Sequence, residues 1–171
     1  DVDLEMGMES IYDDTLSKIN RGCTHQELVN ALELAGSSKL DICVHTIFGF
    51  PWETEEMMLR YAHEINRFPQ IKFVKLHHLH IVKGSIMGVK YQKDPFKLFT
   101  LEEYTDFLAK FIPLLRPDIV IQRLFGLTDY DLLIAPNRGL KKSEIQSYID
   151  KGLERRGAVQ GSQFLCVTEG V

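Results

Sequence analysis

Apolar and acidic residues alternate at the start of the chain, with Val2, Leu4 and Met6 on one side and Asp3 and Glu5 on the other. A period of two predicts a strand over 2–6 with one apolar and one acidic face. Asp13 is placed to cap a short helical turn carrying Leu16 and Ile19. Thr24 and Glu27 have the spacing of a capping box ahead of Leu28, Ala31, Leu32 and Ala35, in a helix that Gly36 closes. A second strand is predicted over 40–47. It ends in the turn Gly49-Phe50-Pro51-Trp52-Glu53, after which Thr54 caps a helix with Met58, Tyr61, Ala62 and Ile65 inward. A third strand follows over 71–77.

Strands alternating with helices at this spacing predict right-handed βαβ units and a parallel sheet, hence an α/β fold. After His80 a polar stretch rich in Lys and Gly runs to Thr100. Thr100 and Glu103 form a second capping box, opening a helix through Leu101, Tyr104, Leu108, Phe111 and Leu115 that Pro113 should kink or shorten. Strands are predicted over 118–122 and 132–135. Ser143 with Gln146 opens a last helix through Ile145, Tyr148, Ile149 and Leu153, ending in Arg155-Arg156 and Gly157. No period is visible beyond Gln160. The divisions expected are 1–85, 86–161 and a mobile tail over 162–171.

In a closed or half-closed barrel of parallel strands the helices lie outside, so the polar set of each alternating strand should point inward, toward a site. That set is Asp3 and Glu5 on the first strand, Cys43, His45 and Ile47 on the second, and Phe73, Lys75 and His77 on the third. Two readings fit it. The residues are either paired charges satisfying one another or a convergent site. His77-His78-Leu79-His80 invites a metal reading, but adjacent strand residues point to opposite faces and no cysteine or carboxylate lies near in sequence to complete a ligand set. No metal ligand is assigned, and His78 is expected on the outer face or in solvent. The Gly49-Phe50-Pro51 turn is either punctuation or a presenter of free backbone N–H groups.

With 171 residues, 44% of them hydrophobic, the chain can bury one core. A net charge of -4 gives no basic field for a phosphate backbone. No apolar run reaches the roughly 20 residues of a membrane helix. Three unclustered cysteines, Cys23, Cys43 and Cys166, fit neither a disulfide framework nor a CxxC site and point to a reducing, cytoplasmic setting. The chain opens inside a strand with no initiator methionine, which reads as a truncated beginning.

Motifs in order then point to a family. Glu5-Met6-Gly7-Met8-Glu9-Ser10, followed by Asp14-Thr15-Leu16 and Ile19-Asn20-Arg21-Gly22, resembles the fourth-strand segment of radical S-adenosylmethionine (SAM) proteins, usually close to ELGLQS, TL and NRG. The run from Cys43 to Thr54 resembles the fifth-strand segment ending in GLPGET, with Trp52 in place of the second Gly. The run from Lys75 to Ser85 resembles the sixth strand of the YhcC-type subgroup, itself similar to the radical SAM domain of the Elongator catalytic subunit, with Ser85 where threonine is usual. Glu102-Glu103-Tyr104, the segment 119–124, Leu133-Ile134-Ala135-Pro136 and Arg155-Arg156-Gly157 with Gln160-Gly161 resemble that subgroup's carboxy-terminal extension. The CxxxCxxC loop and the glycine-rich SAM segment are absent, and Gly126-Leu127-Thr128-Asp129-Tyr130 departs from a TGDG-like segment.

The resemblance implies an open partial (β/α) barrel, the last three strands of a six-stranded core, followed by an α/β extension. It implies an Fe-S oxidoreductase in which SAM and a 4Fe-4S cluster generate a 5′-deoxyadenosyl radical, with the cluster ligands upstream and this piece inactive alone. Glu9, with Ser10 beside it, takes the place of the ribose contact, and Arg21 that of the partner of the SAM carboxylate. His45 stands where relatives carry a ribose-binding aspartate, and Ile47, Gly49, Phe50 and Pro51 lie beside adenine. Glu5, Lys75, His77, His80 and Lys83 become substrate-pocket candidates, with no residue assigned as catalyst. The competing reading is an RNA- or protein-binding module without chemistry. A tRNA partner gets no support from charge, because Lys90, Lys93, Lys97, Lys141, Lys142, Arg155 and Arg156 are scattered among acids. An unpaired edge on the first strand would invite self-association.

Overall fold

The computed structural model describes residues 4–38, 40–129, 131–136 and 139–165. Four parallel strands form the main sheet in the order β1 (Leu4–Glu9), β2 (Ile42–Phe48), β3 (Ile71–His78), β5 (Val120–Arg123). A two-stranded antiparallel sheet joins β4 (Ile81–Val82) to β6 (Leu133–Ala135). Helices α1 (Asp13–Lys18), α2 (His25–Ser37) and α3 (Glu55–Asn66) connect the first three strands. α4 (Ile86–Lys93), α5 (Leu101–Phe111) and α6 (Lys142–Arg155) follow. None of the described helices is long and apolar enough to cross a membrane.

Strand alternation sorts the sheet into two faces. Ile42, Val44 and Phe48 of β2 and Val74 and Leu76 of β3 are buried in one core with Leu32 of α2, Tyr61 and Ile65 of α3, and Phe107 and Phe111 of α5. Phe48 is the hub, with ring centroids 4.7 Å from Phe107 and 4.9 Å from Phe111, distances at which aromatic pairs add to simple burial. The alternate residues Glu5, His45, Lys75 and His77 stand outside that core. β1 pairs with β2 only, and among the described residues nothing pairs with its other edge.

The two predicted capping boxes form as expected at Thr24–Glu27 and Thr100–Glu103, and Thr54 accepts from the backbone of Met57. α5 ends at Phe111 and tightens into a 3-10 turn, Ile112–Leu114, because Pro113 has no N–H to continue the helix. Several boundaries differ from expectation. Tyr12, not Asp13, is the cap residue of α1, and the Asp13 carboxylate instead accepts from His25 N–H. Lys141, not Ser143, precedes α6, where Glu144 reaches back to the Lys141 N–H at 2.7 Å. The polar stretch after His80 holds β4 and α4, the latter capped by Ser85, whose hydroxyl accepts from Gly88 N–H. Val2 and Asp3 lie outside the described residues, as does 166–171. Of the segment expected to be a mobile tail, 162–165 is described, and Gln163 N–H donates to the carbonyl of Pro113 at 2.9 Å.

Candidate active site on the open sheet face

Register brings the predicted polar set together. In parallel pairing Glu5 lies opposite Cys43, Gly7 opposite His45, and His45 opposite Lys75, while Ile47 is opposite His77. Paired residues share a face, so one strip carries a carboxylate, an ammonium and two imidazoles. Lys75 donates to Glu5 Oε1. His45 Nε2 lies 3.0 Å from Glu5 Oε2, a close approach that is not a well-formed hydrogen bond and becomes an ion pair only when the imidazole is protonated. The Lys75 side chain is 13% exposed while Glu5 is 52% exposed, so the carboxylate is the solvent-side member. The His45 and His77 rings stack at 5.8 Å with 15° between planes.

The electrostatics follow from this packing. The hydrogen bond from Lys75 holds the Glu5 carboxyl below its ordinary range. Burial pushes His45 down, and Lys75 and Arg123 add to that while Glu5 opposes it. Burial, then Arg123 and the neighbouring His45 and His80, push His77 down to about 4. Both imidazoles are therefore neutral at physiological pH, able to accept a proton or share one. His77 Nε2 is buried with no hydrogen-bond partner.

Glu5, Cys43 and His45 also offer a carboxylate oxygen, a sulfur and a nitrogen within 4.8 Å of one another, spacing that a divalent ion could bridge. Lys75 already engages that carboxylate, and the Cys43 thiol faces Gln122 Oε1 at 3.6 Å.

The residues expected to hold the cofactor fall into three places. Glu9 and Arg21 meet around Gly7. A bulge in β1 puts Glu9 in the left-handed region at φ 57°, and Arg21 Nη2 donates to the carbonyl of Gly7 at 3.0 Å while its Nε is buried without a partner. A Cβ on Gly7 would lie 2.4 Å from Glu9 Oε1 and 3.0 Å from Arg21 Nη2, so a larger residue there would push both side-chain ends away. Burial raises the Glu9 carboxyl, with Arg21 opposing.

Ser10 lies elsewhere. It is fully buried and donates to Glu53 Oε1 at 2.7 Å, joined by Thr15 at 2.6 Å, while Tyr61 donates to Glu53 Oε2 at 2.6 Å. Trp52 Nε1 donates to Thr15, which explains a tryptophan at the position where a second glycine was expected.

The turn is the third place. Gly49 has φ +96°, and the space where its Cβ would stand is taken by Phe99, 2.9 Å away. Phe50 is buried and stacks on Trp52, Pro51 is exposed, and Ile47 packs beside them. Between this turn and Leu98–Phe99 runs a groove of about 450 Å³.

Two substrate-pocket candidates leave the strip. His80 Nδ1 lies 2.7 Å from Thr128 Oγ1, and its Nε2 lies 2.9 Å from His78 Nε2. His78 is buried at 3% exposure against Tyr104, on the helix side but out of solvent. Lys83 is exposed in the turn after β4, with its N–H bonded to Leu132 O. Sequence reasoning missed Arg123 and Gln122 at the end of β5 and Glu53 under the turn.

Residues 71–155 match the Radical_SAM C-terminal domain, a span that begins at the first residue of β3. YhcC of Escherichia coli K12 is 30% identical over 97% of the chain and 54% of its own length. The tRNA uridine(34) acetyltransferase of Methanocaldococcus jannaschii is 22% identical over 90% of the chain and 28% of its own length. The structure of the archaeal Methanocaldococcus infernus Elp3 with an N-terminal deletion superposes with a TM-score of 0.79 at 22% identity, covering 91% of this chain and 36% of that one. The chain spans about half the length of YhcC. Ordered motifs, parallel-sheet register and these similarities together make the chain a member of the radical SAM proteins of the YhcC/Elp3 type, resembling their carboxy-terminal portion.

Proposed function

We propose that this chain forms the substrate-facing wall of a radical SAM enzyme, an Fe-S oxidoreductase that abstracts hydrogen from its substrate. The observation that supports it is the convergence of Glu5, His45, Lys75 and His77 from three neighbouring parallel strands on the face the helices leave open. On this reading the sheet is one sector of a partial barrel, and the unpaired edge of β1 continues into further strands of the whole protein.

SAM and a reduced 4Fe-4S cluster, when bound, supply a 5′-deoxyadenosyl radical, and the protein positions and shields it. The residues around Gly7 fit SAM. Arg21 has an unpartnered Nε and a fork suited to a carboxylate, and Glu9 can accept from ribose hydroxyls. His45 and Ile47 lie on the same face of β2. Ser10 and Gly49 are occupied by Glu53 and Phe99 and act by shaping the turn. The cluster has no ligand set among the described residues, whose two cysteines, Cys23 and Cys43, are too few to ligate it, so its cysteines would come from elsewhere in the protein and this chain alone would be inactive. A tRNA substrate is the second reading, favoured by the name of the Methanocaldococcus relative, with a net charge of -4 opposing it.

The whole protein, reconstituted anaerobically and reduced, should release 5′-deoxyadenosine from SAM, and its absence would sink the proposal. Arg21→Ala should weaken SAM binding roughly 10- to 100-fold by calorimetry, the value of a charge-assisted pair. Unchanged affinity would leave Arg21 with only its bond to Gly7 O.

A further inference from the structure

β5 is irregular where it matters. Val74 pairs with Ile121, but the next residue, Lys75, pairs with Arg123, so Gln122 is an extra residue in the ladder. In a regular strand Gln122 would face the open side and Arg123 the core, since alternate residues point opposite ways. The bulge turns Arg123 onto the face of its partner Lys75 while Gln122 still reaches Cys43 on that side.

Arg123 has no hydrogen-bond or ion-pair partner among the described residues, although it is only partly exposed. The other partly buried arginines are all engaged: Arg21 with Gly7 O, Arg116 with Asp118 and three carbonyls, and Arg156 with Asp106. Among the described residues of the strip, Glu5 is the one carboxylate in an ion pair, and it is already held by Lys75 with His45 against it. Among the described residues the strip thus carries one cation more than its acids satisfy, beside a buried, unpartnered His77 Nε2. The same surplus opposes a divalent ion at Glu5, Cys43 and His45, which would have to displace Lys75 and sit near Arg123.

We infer that Arg123, with Lys75 and His77 beside it, seats an oxyanion carried by the substrate, a carboxylate or a phosphate group. The planar guanidinium fork matches two oxygens of either group, and the neutral imidazole supplies a further donor. Burial is the main cause that lowers the titration of His45 and His77, and Arg123 adds to it in the direction expected of an uncompensated cation beside them. The inference rests on the strip being the substrate side of a radical SAM cavity, and it gives that substrate an anionic handle.

The test uses the whole protein labelled at histidine Cε1, without SAM or reductant. Inorganic phosphate and acetate are titrated separately while the His45 and His77 resonances are followed by NMR. One of the two should shift both resonances saturably and raise the apparent pKa of His77, and the stronger binder identifies the group. Arg123→Gln should weaken that binding roughly tenfold or more, Arg123→Lys should weaken it less, and Arg155→Gln, at an exposed helix end, should leave it unchanged. Shifts that do not saturate, or binding unaltered by Arg123→Gln, overturn the seat. Displacement of the probe by SAM would give the seat to the cofactor and overturn the substrate assignment. Release of 5′-deoxyadenosine is read independently, so failure of the anion seat and failure of the radical SAM reading are distinguishable.

Discussion

Two carboxylates at the centre of polar clusters, Glu53 and Glu5, are built in opposite ways. Glu53 is buried beneath the Gly49–Thr54 turn, and three hydroxyls from Ser10, Thr15 and Tyr61 point their protons at it. Glu5 stands on the open face with an ammonium and an imidazole, half in solvent, among groups with unspent donors. A polar cluster whose members are all satisfied by neutral partners fixes a conformation. One left with surplus charge and unpartnered nitrogens is arranged for something else to arrive. Burial of the first makes its bonds expensive to break, whereas exposure of the second makes its ion pairs cheap and its chemistry available.

Removing the Glu53 carboxylate is the most severe way to break this contrast. Glu53→Ala leaves the buried Ser10, Thr15 and Tyr61 hydroxyls without their acceptor, and should cost about 3 kcal/mol or more in urea unfolding, several unsatisfied donors at about 1–3 kcal/mol each. Tyr61, whose ionisation is pushed up chiefly by burial, cannot relieve the loss by releasing its proton. A shift in unfolding midpoint no larger than that of an exposed substitution such as Glu56→Ala would mean the network holds nothing together.

A smaller effect separates the two regions by pH. His77 faces Arg123 from β5, His45 from β2, and His80, Lys75 and, through His45, Glu5. Its folded pKa of about 4 lies below the unfolded imidazole value of 6.5, so between these values the unfolded chain binds more protons. Stability contributed by neutral His77 is complete above pH 6.5 and is lost as the pH falls toward 4. His77→Asn should flatten the slope of unfolding free energy against pH in that window. An unchanged slope would mean that His77 titrates normally and the strip is not desolvated.

Much of this was legible in the sequence, for reasons tied to particular residues. Period two placed Glu5, His45, Lys75 and His77 on one face because a parallel ladder without slips between β2 and β3 over 43–48 preserves alternation. The capping boxes at Thr24 and Thr100 were readable because they are local. Arg123 was missed because a bulge has no period, and the alternation rule assigns that residue to the wrong face. The bond from Ser10 to Glu53 is not legible because the acceptor lies 43 residues away, a pairing no local pattern encodes. α4 was missed for a different reason. Its sequence IMGVKYQK carries Gly88 in its interior, which weakens helix propensity, and that glycine is there because a Cβ would lie 2.4 Å from the Val82 carbonyl.

The finest test of the contrast changes the open carboxylate without touching the core. Glu5→Gln removes a charge that raises the proton affinity of His45 while leaving Lys75 and Arg123, which lower it. The His45 resonance should then titrate at lower pH than in the wild type, and the urea midpoint should not move, because the Glu5 carboxylate stands in solvent where its ion pair is screened. Lys75, released from Glu5, would become available to an added anion and should strengthen phosphate or acetate binding at the Arg123 seat. A His45 titration that moves upward would show that Lys75 leaves the strip once its carboxylate is gone. A fall in midpoint comparable to that of Glu53→Ala would erase the difference between the two clusters, making the open strip as structural as the buried one.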